Sequence, residues 1–255
     1  MRWQALGLLG LAVAAALTAG IARGAAAPRP VWVVLVDRSL DSPLEARADG
    51  LKELRAAAAA AVKAKGRVYA AGFADKALTQ LEFDISADFA KPPPGYSGSN
   101  PDLLRVARNA QVAALLAKAS PILLPNLGVR GSDMIGALLA TVRGPLGRSH
   151  GRVLVVLDSN MLEYSTDDRL FFTDTVPGPG ALLGTLNRLA ARGRIARLNG
   201  ACVVVTNAGK LEDTTIGTTR FLAVERFWRA YFGRAHAKVV GYLPDVSESL
   251  HPPCA

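Results

Sequence analysis

Histidine and cysteine are scarce: three and two among 255 residues. His150, His236 and His251 sit beside basic residues or in the C-terminal tail. No zinc-type spacing and no Cys-His nucleophile pair can be built from them. The familiar phosphate loops are also missing. No G-x-G-x-x-G follows the first apolar run, and Gly209-Lys210 lacks the rest of a G-x-x-x-x-G-K-[ST] loop. This argues against a dinucleotide enzyme or a P-loop NTPase. Aromatics make up only 6% of the chain, and the formal charge of +9 comes from Lys and Arg scattered singly, such as Arg143, Arg148, Arg152, Arg188 and Arg192. Without a basic stripe interleaved with aromatics, nucleic acid is not indicated as a partner. The charge reads as a solvated surface with nonspecific attraction to anionic membranes or cell wall. Repeats and low-complexity tracts are absent as well.

What is present begins at the N-terminus. Met1-Arg2-Trp3 is followed by an uncharged stretch from Ala5 to Ala22. This has the form of a secretory signal, with a cleavage site at Ala22-Arg23-Gly24, or of a retained single-span anchor. Both place the rest of the chain outside the cytoplasmic membrane: periplasmic, in the cell envelope or secreted. Residues 1–27 are therefore set apart, and residues 28–255 are expected to form one α/β domain with a tail at 244–255. Richness in Ala and Arg suggests a high-GC bacterial source. In an exported chain Cys202 and Cys254 most simply form one disulfide tying the tail to the domain. The alternative is a buried thiol at 202 and a separate exposed one at 254.

The most informative segment is Val31-Trp32-Val33-Val34-Leu35-Val36-Asp37-Arg38-Ser39-Leu40-Asp41-Ser42-Pro43. A continuous apolar run predicts a strand buried on both faces of a parallel sheet. The run ends in oxygen-bearing side chains, at the sheet edge where open α/β folds bind ligands. Asp37, Ser39 and Asp41 alternate, so a short turn can aim them at one point, as hard cations such as magnesium require. Asp41 or Ser42 could also simply cap the following helix, with Pro43 at its first position.

Further along, helices are predicted over Pro43–Lys65, Asp102–Ala119, from a Ser132 cap to Arg143, Ala181–Arg192 and Thr219–Phe232. Strands are predicted over Arg67–Ala74, Leu81–Ile85 (an edge), Arg152–Leu157, Ala201–Val205 and Lys238–Leu243. Alternation of strand and helix predicts a doubly wound, mainly parallel open sheet of about six strands with helices on both faces. The aromatic set Phe221, Phe227, Trp228, Tyr231 and Phe232 reads as core packing. Leu170, Phe171 and Phe172, in a long loop, either fold back onto the domain or offer apolar contacts to a partner.

Three elements line up: Asp37-Arg38-Ser39-Leu40-Asp41, Gly131-Ser132-Asp133 opening a mid-chain helix, and Asp158-Ser159-Asn160 after the fourth strand. Together they resemble the von Willebrand factor A-type domain, in its exported bacterial form, over residues 31 to 243. The resemblance implies a metal-ion-dependent adhesion site with the pattern D-x-S-x-S, a distant Thr and a late Asp. Asp37 and Ser39 match the first two positions, and Ser132 stands in place of the Thr. Asp41 replaces the second Ser. The late Asp is matched by Asp158 or, if Ser159-Asn160-Met161-Leu162-Glu163-Tyr164-Ser165 is aligned with Ser-Asp-Met-Leu-Glu/Gln-x-Ser, by Asn160.

The function implied is a non-enzymatic binding module. It would hold Mg2+, or Mn2+ or Ca2+, through Asp37, Ser39, Ser132 and Asp158 or Asn160, with Asp41 beside them. The cation would leave a coordination position for an acidic group of a protein partner. Two other classes use the same residues: a magnesium-dependent phosphoryl-transfer hydrolase with Asp37 as nucleophile or ligand and Arg38 and Lys210 as lone phosphate contacts, and a metal-free structural scaffold of an envelope assembly.

Overall fold

The computed structural model describes residues 28–147, 152–211 and 215–242. The expected signal or anchor at 1–27, the tail at 244–255, Cys254, His150 and His251 lie outside the described residues. Among the described residues no helix is long and apolar enough to cross a membrane.

The strands are β1 (Val31–Asp37), β2 (Arg67–Phe73), β3 (Ile85–Asp88), β4 (Val153–Asp158), β5 (Tyr164–Ser165), β6 (Leu170–Phe171), β7 (Cys202–Thr206) and β8 (Lys238–Tyr242). The α-helices are α1 (Leu44–Ala64), α2 (Ala77–Gln80), α3 (Pro101–Leu123), α4 (Met134–Thr141), continued by a π-helical turn (Val142–Leu146), α5 (Pro179–Ala191) and α6 (Thr218–Arg234). Six strands form one sheet in the order β3-β2-β1-β4-β7-β8, and β5 and β6 form a separate small hairpin. All pairings in the large sheet are parallel except β2 with β3. The protein is a doubly wound α/β fold.

Side chains alternate across each strand, which divides the core in two. Trp32, Val34 and Val36 face α1 and α3, where Leu54, Ala57, Ala58 and Ala61 meet them. Val33 and Leu35 face the other layer, which contains Met134, Ile135, Phe227 and Trp228. The small residues of α1 let that helix lie close to the sheet. Gly50 comes closest: a Cβ there would stand 2.6 Å from Val36 Cγ2 and 2.6 Å from Asp158 Oδ2.

From β1 the chain first builds outward to β2 and β3, then returns to β4 on the other side. The direction of winding therefore reverses between β1 and β4, and a crevice is expected beyond their carboxyl ends. Asp37 and the Asp158-Ser159-Asn160 segment stand there.

Several local expectations are corrected. The edge strand is Ile85–Asp88 rather than Leu81–Ile85, and the short helix α2 precedes it. Helix α3 runs on through Pro121. Only one amide is lost there, and Leu124 N still bonds Ser120 O at 3.1 Å. Neither Asp41 nor Ser42 caps α1; Pro43 holds that position without a side-chain bond. Helix α4 is capped by Asp133, whose carboxylate accepts from Gly136 N at 2.7 Å. The hydroxyl of Ser132 is used elsewhere. The Phe pair folds inward: Phe172 is buried edge-on against Phe227, 4.7 Å between centroids, and Phe171 packs on Tyr164.

Candidate functional site

Three hydroxyls converge on Asp37 at the end of β1. Ser132 Oγ donates to Asp37 Oδ2 at 2.6 Å, and Ser159 Oγ donates to the same oxygen at 2.9 Å. Ser39 N donates to Asp37 Oδ1 at 3.0 Å, folding the turn back on the strand. Ser39 Oγ lies 3.2 Å from Ser132 Oγ. Asp37, Ser39 and Ser159 have no exposed surface, and Ser132 has 1%. Burial raises the Asp37 carboxyl above its ordinary range, against the lowering effect of the bonds from Ser132, Ser39 and Ser159.

A seam of backbone bonds fixes the loops that carry these groups. Leu40 N bonds Val129 O and Leu127 N bonds Arg38 O, both at 2.8 Å. Asp41 and Asn160 frame the cluster instead of joining it. Asp41 Oδ2 accepts from Gly131 N at 3.2 Å. Asn160 Oδ1 accepts from Leu162 N at 2.9 Å, and its Nδ2 donates to the Asp41 carbonyl at 3.3 Å. The guanidinium of Arg38 is turned aside, its Nε donating to Pro125 O at 2.9 Å.

Asp158 sits on the other side of the sheet. Its backbone pairs with Val36, so strand alternation turns it toward α1 and away from the Asp37 hydroxyls. Asp158 Oδ1 accepts from Asn207 Nδ2 at 2.7 Å, and Oδ2 lies under Gly50. Burial raises the Asp158 carboxyl well above the usual range, and the charge of Glu53 on α1 raises it further. Burial likewise pushes Glu53 up to about 8. The Thr206 hydroxyl beside Glu53 pulls the other way, and it also lies 3.5 Å from Leu157 O.

A third group lies at the N-terminus of α4. Asp133, Glu163 and Asp168 are buried, with one carboxylate oxygen of each within 4.8 Å of the others. Arg194 Nη2 is 2.6 Å from Asp168 Oδ2 and 3.4 Å from Asp133 Oδ1. Glu163 Oε2 accepts from Met134 N at 3.0 Å and Ile135 N at 3.4 Å. Burial raises Glu163 well above its normal range, and Asp133 and Asp168 add to the shift.

The donor set at Asp37 is all oxygen: one carboxylate and hydroxyls from Ser39, Ser132 and Ser159. That chemistry fits a hard cation. Asp37, Ser39 and Ser132 of the predicted ligands are brought together, while Asp158 is directed elsewhere and Asp41 and Asn160 serve loop contacts. Sequence reading missed Ser159 as a partner of Asp37, and missed Glu53, Asn207, Glu163 and Arg194. Cys202 opens β7 in the core and is not a free thiol; its expected partner, Cys254, lies outside the described residues.

No family model matches the chain, and no curated protein matches it. Solved structures similar to it include the pilus adhesin SpaC from Lactobacillus rhamnosus GG, 11% identical, with a TM-score of 0.44, over 85% of this chain and 28% of that one. The open conformation of the same adhesin is 12% identical with a TM-score of 0.41, over 84% of this chain and 28% of that one. A von Willebrand factor type A protein from Catenulispora acidiphila is 9% identical with a TM-score of 0.33, over 84% of this chain and 39% of that one. The chain thus spans well under half the length of each. Similarity at this level assigns neither ligand nor partner.

Proposed function

We propose that this chain is an exported, non-catalytic binding module. It holds a hard divalent cation, magnesium or manganese, through Asp37, Ser39 and Ser132, with Ser159 supporting the Asp37 carboxylate. A cation there would attract a carboxylate offered by a partner protein. The observation that carries this reading is the convergence of three serine hydroxyls on one buried carboxylate at the switch point between β1 and β4. Because Asp37, Ser39 and Ser132 are buried, ion entry and partner contact go through the seam joining residues 38–40 to 127–129, and local opening of that seam is part of the proposal.

The test is thermal unfolding of the EDTA-stripped full chain with magnesium or manganese, beside Asp37→Ala. A ligand at 100 times its dissociation constant stabilises by roughly 2.7 kcal/mol, or several degrees in a domain of this size. The wild type should gain that shift and Asp37→Ala should not. No gain in the wild type would leave the metal-free scaffold as the better reading. Turnover of a generic phosphate ester, lost in Asp37→Ala, would favour the hydrolase.

A further inference from the structure

Four acceptor oxygens on the α1 side of the sheet have no hydrogen-bond partner: both carboxylate oxygens of Glu53, Asp158 Oδ2 and Asn207 Oδ1. Each of the three residues is 1% exposed. Glu53 follows Gly50 by one helical turn, so it lies on the helix face beneath which Asp158 Oδ2 passes. Glu53 is the strongest charged influence on Asp158. Asn207 is tied to the same carboxylate through its Nδ2, 2.7 Å from Asp158 Oδ1. The other charges acting on the pair, from Asp49 and Asp37, are also acidic.

Buried acceptors without donors are costly, and buried carboxylates without a counter-charge are more so. A single shared proton satisfies one carboxylate and leaves acceptors over, whereas two protons neutralise the pair when no metal is bound. A water brings two hydrogens to four acceptors and no charge. A divalent cation neutralises both carboxylates and also takes the amide oxygen. We propose that Glu53, Asp158 and Asn207 form a second hard-cation site, on the opposite side of the sheet from Asp37. Both Glu53 oxygens are unspent and can bind together, as calcium favours; magnesium demands stricter octahedral geometry. This site does not depend on the Asp37 reading, and each can fail without the other.

The experiment uses the EDTA-stripped full chain with calcium as the probe, read by melting and by calorimetric stoichiometry. Asp37→Ala should still gain a few degrees in millimolar calcium and bind one ion with Glu53 intact. The Asp37→Ala/Glu53→Gln chain should gain nothing and bind none there. Asp158→Asn, tested in the same Asp37→Ala background, keeps the size of the side chain and should also lose the response. Far-UV circular dichroism and the melting point in EDTA establish that each variant is folded. Calcium indifference of Asp37→Ala, or a calcium response that survives both Glu53→Gln and Asp158→Asn, would overturn the proposal.

Discussion

Two groups of buried carboxylates lie near the carboxyl edge of one sheet, and the chain compensates them in opposite ways. Asp133 and Asp168 pair with Arg194, and Glu163 gives one oxygen to the first amides of α4 while its other oxygen has no hydrogen-bond partner. Glu53 and Asp158 lie on the α1 side with only neutral donors beside them, the Thr206 hydroxyl next to Glu53 and the amide of Asn207, which is given to the Asp158 oxygen not turned toward α1. In the first group the counter-charge is covalently part of the fold. In the second no basic side chain acts on the pair, so its charge is removed by protons or by a cation taken up from outside. A buried acid with its own arginine is compensated within the fold, whereas an acid pair with no basic neighbour is left to protons or to a guest cation.

The largest expected effect comes from removing the built-in counter-charge. Arg194→Met leaves the carboxylates at α4 without a cation, and the loss should be about 3–5 kcal/mol. Urea or thermal unfolding would measure it against Arg226→Met at an exposed position. Equal, small losses in the two variants would erase the contrast between the groups.

The second effect is a pH slope. Burial sets the Glu53 carboxyl at about 8 in the folded chain, above its ordinary 4.5, so the folded state holds that proton more tightly than the unfolded state. Stability should therefore fall as pH rises from about 4.5 to about 8, because the unfolded state releases the proton first. In EDTA, Glu53→Gln should match the wild type near pH 4 and exceed it by several degrees at pH 8. Saturating calcium at pH 8 should reverse that order. A pH-independent difference in melting would show that Glu53 does not titrate in this way.

The Asp37 hydroxyls give an intermediate case. Ser132→Ala removes a 2.6 Å donor from a buried carboxylate, and about 1–3 kcal/mol should be lost. Its melting point in EDTA measures this without any cation. The smallest effect belongs to Glu163→Gln. Burial already holds that carboxyl well above its usual range, and the amide oxygen can still accept from Met134 N. A change under about 1 kcal/mol is expected by urea unfolding; a larger loss would mean that Glu163 is charged against Arg194.

The sheet was legible because apolar strands and capped helices leave a periodic trace. Val31–Val36, Val153–Leu157 and Val203–Val205 are continuous apolar runs, and a sheet buried on both faces imposes that pattern. Asp37, Ser39 and Ser132 stood out because polar residues ending such runs are conspicuous. The position of Asp158 needed one more step. Leu35 pairs with Leu157, so strand parity places Ser159 on the side of Asp37 and sends Asp158 to the opposite face with Val36. The acidic groups left almost no trace. Glu53 reads as an ordinary polar residue within α1, and Arg194 as one of many arginines. Their pairings join positions far apart in sequence, which periodicity does not register. Edge strand β3 was misplaced because Ile85-Ser86-Ala87-Asp88 is short and only half apolar, and antiparallel pairing with β2 supplies what its side chains lack.

The margins of the sheet have a bearing on how copies of this chain behave in a crowd. On one side β3 is four residues long and is pinned by Arg67 to Asp88 at 3.1 Å. On the other, β8 begins at exposed Lys238, and its register with β7 shifts between Val203 and Val204. Brevity, charge and irregularity each spoil a strand as a template for a neighbour's backbone. Among the described residues neither margin of the large sheet offers a long, flat rail on which a neighbour's strand could pair.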